Sequence, residues 1–398
     1  MDKPKVDRSA QLTSESVARR WDQLGASDAV REELADAHTL AHLSAFARNI
    51  ENFIGTVKVP VGIAGPLRVN GAHARGDFYL PLATTEAALV ASYSRGAQLI
   101  TAAGGCTALV DAASVSRAPG FAFVDLAEAN SFASWVRDQF DALRDVAAAT
   151  TRHGRLASLR TTLEGNHVYV TFSFSTGEAA GQNMVTIATQ AMCAFIAQRS
   201  PVKPQHHFLE ANFSGDKKAT VMSLLGERGR RAIAEVTLPR RLIEEWLHTT
   251  PRRLTEYWQM GAVGAVMSGS IGIEGHYANG LAALFIACGQ DAACVAESAI
   301  GISRFTLTEG GDLYASVTLP NAIVGAVGGG TGLPSQRACL DILGLPAAQP
   351  SNAFAEICAG LCLAGELSIS GALCAAEFAS AHERLARGTP EPSADPHA

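Results

Sequence analysis

Apolar residues recur at helical spacing from Ser14 to about Asn49, among Arg, Glu and His, and predict helix there. Between Glu51 and Pro66 the pattern breaks into Gly, Pro and Val, which predicts turns and short strands. Pro81 to Gln98 predicts a loop entering a helix, with Thr84-Thr85 as cap and Glu86 in the first turn. The texture changes after about Pro119. Phe121 to Val124 predicts a strand, Ser131 to Ala148 an amphipathic helix, and Val168 to Ser175 alternates as a strand. Gly177 then opens a helix predicted over Glu178 to Gln198. Such alternation predicts a smaller α/β domain. From about Gly261 the chain is dense in Gly and Ala. Leu281 to Cys288 predicts a helix ending at Gly289, Leu313 to Leu319 a strand, Val324 to Gly332 a flexible glycine run, and Asn352 to Ala386 one or two helices. The tail Gly388 to Ala398 predicts disorder.

A chain of 398 residues can bury a substantial core and hold two or more domains. Its net charge of -6 and pI of about 6.0 argue against nucleic-acid or membrane-surface binding, which needs a basic face. No uninterrupted apolar run has the length of a membrane span. The start, Met1 to Lys5, lacks the apolar core of a secretory signal, which favours a cytoplasmic protein. The eight cysteines include no CxxC pair and lie in apolar surroundings, which predicts buried free thiols and no metal site. GxGxxG, the P-loop, GxSxG and HExxH are all missing, so there is no Rossmann fingerprint.

The densest chemistry is Glu210-Ala211-Asn212-Phe213-Ser214-Gly215-Asp216-Lys217-Lys218, where two ammonium groups and a carboxylate follow a Ser-Gly turn. Adjacent lysines are usually solvated surface; facing a pocket, they bind anions or stabilise an oxyanion. Glu86, in an apolar window, either caps a helix or has a raised pKa suited to proton donation. Asp291, behind an apolar helix, opposes the helix dipole and so invites a lysine partner, or is a turn aspartate. His276 and His382 are structural histidines or proton donors, with His382 the better candidate on a helix beside the tail. Arg152 is a surface charge or a phosphate ligand, since guanidinium forks match phosphate oxygens.

Together these blocks resemble the hydroxymethylglutaryl-coenzyme A reductase family, in its soluble catalytic portion and eukaryote-like class. The resemblance runs from Glu51 to His382. It rests on Glu51-Asn52-Phe53-Ile54-Gly55 with Pro60 to Leu67, on Thr84-Thr85-Glu86, and on Gly177 to Met184. It continues through Asp216-Lys217-Lys218, Phe285 to Asp291, Asp312-Leu313-Tyr314, Gly328 to Gly332 and Gly365-Glu366-Leu367-Ser368.

The resemblance implies a four-electron reduction of an acyl thioester by NADPH. It makes Glu86, Lys217, Asp291 and His382 the catalytic group: Lys217 for the oxyanion, held by Asp291, His382 for the departing thiolate and Glu86 for the aldehyde oxygen. It places NADPH on Thr151, Arg152, Gly177, Glu178, Gly181, Asn183, Gly328, Gly329 and Gly330. It places coenzyme A on Arg95, the acyl carboxylate on Arg117 and Lys218, and Asn279 beside the catalytic lysine; Asp216 joins the substrate site. It also implies a homodimer or higher oligomer with the site between subunits.

The implied fold is α/β (α+β): a helical segment 1–50, a large discontinuous α/β domain over 51–117 and 220–387 for substrate and coenzyme A, an inserted ferredoxin-like NADP-binding domain over 118–208, and a catalytic loop over 209–219. Two positions depart from the family pattern at the acyl carboxylate: Glu210 stands for a serine and Met260 for a lysine. Losing an ammonium and gaining a carboxylate shifts the local charge by up to two units toward negative, each unit worth roughly a few kcal/mol a few Å away at an effective dielectric near 20. The expected substrate is 3-hydroxy-3-methylglutaryl-coenzyme A, and these departures raise another acyl thioester as the alternative. A non-catalytic acyl-coenzyme A binding protein is the alternative of another class. In the cofactor segment Glu178 replaces Asp, and Ala180 and Gln182 replace Met.

Overall fold

The computed structural model describes residues 5–6, 11–226 and 228–376. Among the described residues ten strands form one mixed sheet in the order β7-β4-β6-β3-β8-β10-β9, with β1 beside β3, β2 beside β1, and β5 beside β6. They are β1 Val61–Gly71, β2 Arg75–Ala83, β3 Cys106–Arg117, β4 Gly120–Ala122, β5 Arg155–Glu164, β6 His167–Ser175, β7 His206–Phe208, β8 Gly229–Leu238, β9 Ile302–Leu307 and β10 Leu313–Ala322. The α/β class expected from the sequence is the class observed.

Strand β3 joins the two halves of this sheet. Its first residues pair parallel with β1, Thr107 to Ser114 pair antiparallel with β8, and Val115 to Arg117 pair with β6. The two halves carry separate cores. Beside β1, β2, β8, β9 and β10 the core is aliphatic and small: Ala232, Ala234, Val236 and Leu238 alternate inward along β8. Beside β4, β5 and β6 it is aromatic, built from Phe121, Phe123, Phe132, Phe172 and Phe174 under the helices Leu126–Asp138, Phe140–Ala148 and Gln182–Arg199.

The first core is organised by the helix Pro350–Cys374, which is long and apolar enough to cross a membrane, yet 89% of its most apolar stretch is buried in the fold. Its apolar run is interrupted by Glu356 and Glu366, both buried. Glu356 accepts from the backbone N–H groups of His73 and Ala74 in the β1–β2 turn, at 2.9 and 2.7 Å. Glycine lets the helix Leu89–Ala102 cross it closely: a Cβ on Gly96 would stand 1.9 Å from the Ala364 carbonyl oxygen. All eight cysteines are free and buried, as expected.

Several element boundaries differ from the expected ones. The N-terminal stretch is four short helices, Ser14–Leu24, Asp28–Leu34, Ala37–Ala41 and Leu43–Phe46, around Val17, Trp21, Phe46 and Phe53. Thr84-Thr85 caps no helix. Thr84 Oγ1 accepts from Glu86 N in a local turn, and the helix begins at Leu89 behind Ala88 at φ 70°. The expected helix from Glu178 begins only at Gln182, because the residues before it pair with another loop. The glycine run is an ordered 3-10 turn, Gly329–Gly332. The sequence pattern does not predict strands β2, β3, β5, β7, β8 and β9, since neighbouring Gly, Arg, Thr and His blur their alternation.

Candidate active site

The loop 209–219 crosses the sheet where β3 passes from one half to the other. Arg117 ends β3 and Arg228 precedes β8, so two guanidiniums meet under the loop. Asp216 bridges them: Arg117 Nη1 donates to Oδ2 at 2.7 Å and Arg228 Nη2 to Oδ1 at 2.6 Å. Arg228 Nη1 also donates to the Ser116 carbonyl at 2.6 Å, and its Nε donates to Glu297 Oε2 at 2.7 Å. The Arg228 and Glu297 side chains are wholly buried. Burial alone would raise the pKa of Asp216, but the Arg228 and Arg117 charges outweigh it and hold the carboxyl below its ordinary value.

The same loop turns Lys217 outward. Its backbone lies in the left-handed region at φ 55°, and its N–H donates to Glu297 Oε1 at 3.1 Å. Its Nζ meets Asp291 Oδ2 at 2.8 Å, with both side chains nearly half exposed. The hydrogen bond and charge of Asp291 raise the pKa of Lys217, so the ammonium form is favoured.

The expected lysine partner of Asp291 is therefore present, but Asp291 does not oppose the dipole of the preceding helix. The preceding helix ends at Ala287, and Asp291 caps the following 3-10 turn Ala292–Cys294, accepting from Ala293 N at 3.0 Å. Glu86 stands exposed before its helix and accepts from Asn279 Nδ2 at 3.0 Å. Asn279 belongs to the first turn of the helix Tyr277–Ala287, while Asp291 lies beyond its last. From Asn279 to Ala287 that helix rises about 12 Å.

The segments expected to hold the cofactor adjoin one another. The loop before the Gln182–Arg199 helix pairs with the glycine run through an Ala179–Val327 bridge and a bond from Ala326 N to Glu178 O at 2.9 Å. Gly181 caps the helix at φ 80°, Gly177 lies at φ 64°, and Asn183 is exposed in the first turn. Glu178 Oε2 accepts from the Ser351 N–H and hydroxyl, so this carboxylate anchors the loop to the Pro350–Cys374 helix. Arg230 reinforces the anchor, donating to the carbonyl of Val324 at 2.8 Å and to Gly177. Gly328 and Gly329, both at positive φ, are exposed with open space where a Cβ would stand, and Gly330 packs on Gly289. Thr151 Oγ1 accepts from His153 N and Gly154 N at 3.2 Å, fixing a turn that carries Arg152 exposed. That turn packs by Gly154 on Met184, next to Asn183.

The expected substrate residues are placed unevenly. Lys218 Nζ turns back onto the Asp216 carbonyl at 3.1 Å. Glu210 Oε2 accepts from Ser214 Oγ at 3.0 Å and lies 3.6 Å from Arg117 Nη1, while its other oxygen is buried without a partner among the described residues. Arg95 donates to Ser368 Oγ and O at 3.1 and 2.7 Å. Met260 is 77% exposed on the helix Pro251–Ser268. His276 is structural in its surroundings: its N–H donates to Glu366 Oε1 at 2.9 Å, and its ring lies at 3.3 Å from the same oxygen. His382 lies outside the described residues.

Sequence reasoning missed Arg228, Arg230, Glu297 and Glu366. Arg228 and Arg230 sit in an ordinary charged run; the local signal belonged to the two glutamates. Glu297 stands in Cys294-Val295-Ala296-Glu297-Ser298-Ala299-Ile300, an apolar window of the kind that singled out Glu86.

A family model described as hydroxymethylglutaryl-coenzyme A reductase matches residues 16–387. The 3-hydroxy-3-methylglutaryl-coenzyme A reductase of Pyrococcus horikoshii is 43% identical over 348 residues, covering 85% of this chain and 84% of its own. That of Aeropyrum pernix is 45% identical over 349 residues, covering 86% and 83%. Among solved structures, a class II reductase from Streptococcus pneumoniae bound to NADPH superposes with a TM-score of 0.67 over 92% of this chain and 98% of its own. At 21% identity that likeness speaks to the fold. With match, coverage and fold in agreement, the chain belongs to the hydroxymethylglutaryl-coenzyme A reductase family.

Proposed function

We propose that the chain reduces 3-hydroxy-3-methylglutaryl-coenzyme A to mevalonate and free coenzyme A with two NADPH and two protons. The observation that carries this reading, beside family membership, is the Lys217–Asp291 pair, an ammonium held half in solvent at the tip of a rigid loop. Hydride attack on a thioester carbonyl, and then on an aldehyde, places negative charge on oxygen. A preorganised donor aimed at that oxygen is worth about 10²- to 10³-fold in rate. The raised pKa of Lys217 keeps it cationic for this task. Glu86, oriented by Asn279, delivers a proton to the aldehyde oxygen, and His382 protonates the departing thiolate.

The two open glycines at positive φ, beside the loop 177–181, suit the backbone to close approach by a dinucleotide phosphate. NADPH, when bound there, supplies both hydrides. Arg152, exposed on the Thr151 turn, is matched to a 2'-phosphate, and Asn183 borders the same surface. Arg117 and Lys218 face the acyl carboxylate, with Arg95 toward coenzyme A. The segment 118–208 is read as the NADP-binding domain, with 51–117 and 220–387 as the large domain.

The two polar pairs, Glu86–Asn279 and Lys217–Asp291, sit at opposite ends of one helix. That separation favours a site completed by a second copy of the chain. The test is direct: purified protein is given the thioester with NADPH or NADH, and thiol release, nicotinamide oxidation and product mass are followed. Two NADPH consumed per thiol, with NADH much poorer, supports the reading; no NADPH oxidation rejects it.

A further inference from the structure

We infer that Glu297 is a positioning residue that fixes the backbone of Lys217, an inference that rests on Lys217 being the oxyanion donor. A non-glycine residue in the left-handed region is strained and persists only where its surroundings over-determine it. Lys217 is such a residue, at φ 55°. It is gripped at both ends. Its Nζ meets Asp291 at 2.8 Å, and its backbone N–H donates to Glu297 Oε1 at 3.1 Å. Both carboxylates come from one short segment, the 3-10 turn Ala292–Cys294 and the helix Val295–Ser298 that continues it. Whatever places one carboxylate therefore places the other, and the lysine is carried as a unit with its partner.

A purely structural reading makes Glu297 the counter-charge of buried Arg228. That accounts for the bond from Arg228 Nε to Oε2 at 2.7 Å. Arg228 Nη2 reaches Oε1 as well, at 3.4 Å, but lies closer to Asp216 at 2.6 Å, and the ion pair leaves the shorter bond from the Lys217 N–H to Oε1, at 3.1 Å, unexplained. A carboxylate is the side chain of this size that accepts from both donors at once. A glutamine has one amide oxygen and one amide N–H₂, so it must abandon Lys217 or the Arg228 Nε.

The test compares Glu297→Gln with the unchanged protein and with Lys217→Ala, using the thioester and NADPH. Expected for E297Q are a kcat about 10- to 100-fold lower, the size of loss from a displacement near 1 Å, with both KM values within about threefold. The basic limb of its kcat–pH profile moves to lower pH, as Lys217 slips from Asp291. Residue-resolved hydrogen exchange on the unchanged protein should show the Lys217 amide protected, and E297Q should lose that protection. An E297Q enzyme with unchanged kcat and basic limb overturns the inference. So does a Lys217 amide that exchanges as a free loop amide in the unchanged protein, which decides the matter even if E297Q fails to fold. If the unchanged protein turns over and K217A does not, the functional reading stands whatever E297Q does. If the unchanged protein is inactive, that reading fails and takes this inference with it.

Discussion

The back and the front of the 210–218 loop use the same residue types to opposite ends. Behind it, Arg228 and Glu297 are wholly buried, Arg117 is 8% exposed and Asp216 is 20% exposed, and the charges alternate in one connected chain. In front, Lys217 and Asp291 are 43% and 45% exposed. Buried pairs recover little net energy over their desolvation, but removing one partner leaves an uncompensated charge. Exposed pairs contribute about 0–1 kcal/mol and rearrange readily. The back therefore fixes geometry, and the front stays free to rearrange.

Lys217→Ala gives the largest expected effect and tests the front. Thioester-dependent NADPH oxidation should fall by roughly 10³-fold, while the thermal midpoint moves by less than about 2 °C. A large fall in thermal midpoint would merge front and back. Arg228→Met tests the back, leaving Glu297 buried without its cation. The denaturant midpoint should drop by the equivalent of about 3–5 kcal/mol, and a midpoint unchanged from the parent would mean the buried chain fixes nothing.

Asp291→Asn sharpens the comparison through pH. Because the pKa of Lys217 is raised in the folded protein, its ammonium persists as pH climbs past the ordinary lysine value and is lost only above it. Without the Asp291 hydrogen bond the folded pKa falls back, so the basic limb of kcat should move to lower pH, with kcat itself about tenfold down. A basic limb that stays in place would assign it to another group. A smaller effect is expected at the loop's edge. Glu210 shares Arg117 with Asp216, so Glu210→Ser frees guanidinium for an acyl carboxylate. KM for the thioester should fall a few-fold at constant kcat; a rise would mean that Glu210 supports the loop through Ser214 instead.

The front was legible in the sequence and the pairing behind it was not, for a physical reason. Lys217 sits in a polar run at a Ser-Gly turn, and Asp291 follows an apolar helix, so each stands out locally. Arg117 and Arg228 meet only because β3 pairs with β8 across more than a hundred residues, and Glu297 reaches them from a helix packed on β10, arrangements that local pattern does not encode. The same limit explains the helix starts. Thr84 and Gly177 are good local signals, but tertiary pairing of the loop 177–181 with the glycine run defers one helix to Gln182. The core helix Pro350–Cys374 was readable as helix from its apolar density, while the tasks of Glu356 and Glu366, each tied to distant backbone N–H groups, were not.

The smallest expected effect concerns a carboxylate that lacks what the back of the loop supplies. Glu274 lines a cavity of about 60 Å³ with Glu366, Ser303 and Trp258. Burial, and then the Glu366 charge, push its pKa up to about 7, against a lowering hydrogen bond from the Gly301 backbone. Among the described residues one oxygen of Glu274 is buried without a hydrogen-bond partner. Where Asp216 is answered by two arginines and held low, Glu274 is answered by none of the described ones. The sign follows: the folded state binds this proton more tightly than the unfolded chain, so the favourable contribution is complete below pH 4.5 and is lost as pH rises through about 7. Glu274→Gln carries no such titration. It should melt with the parent at about pH 4.5 and one to a few degrees above it at about pH 8. Equal melting at both pH values would show that Glu274 finds a cationic or solvent partner, and that uncompensated burial is not what separates it from Asp216.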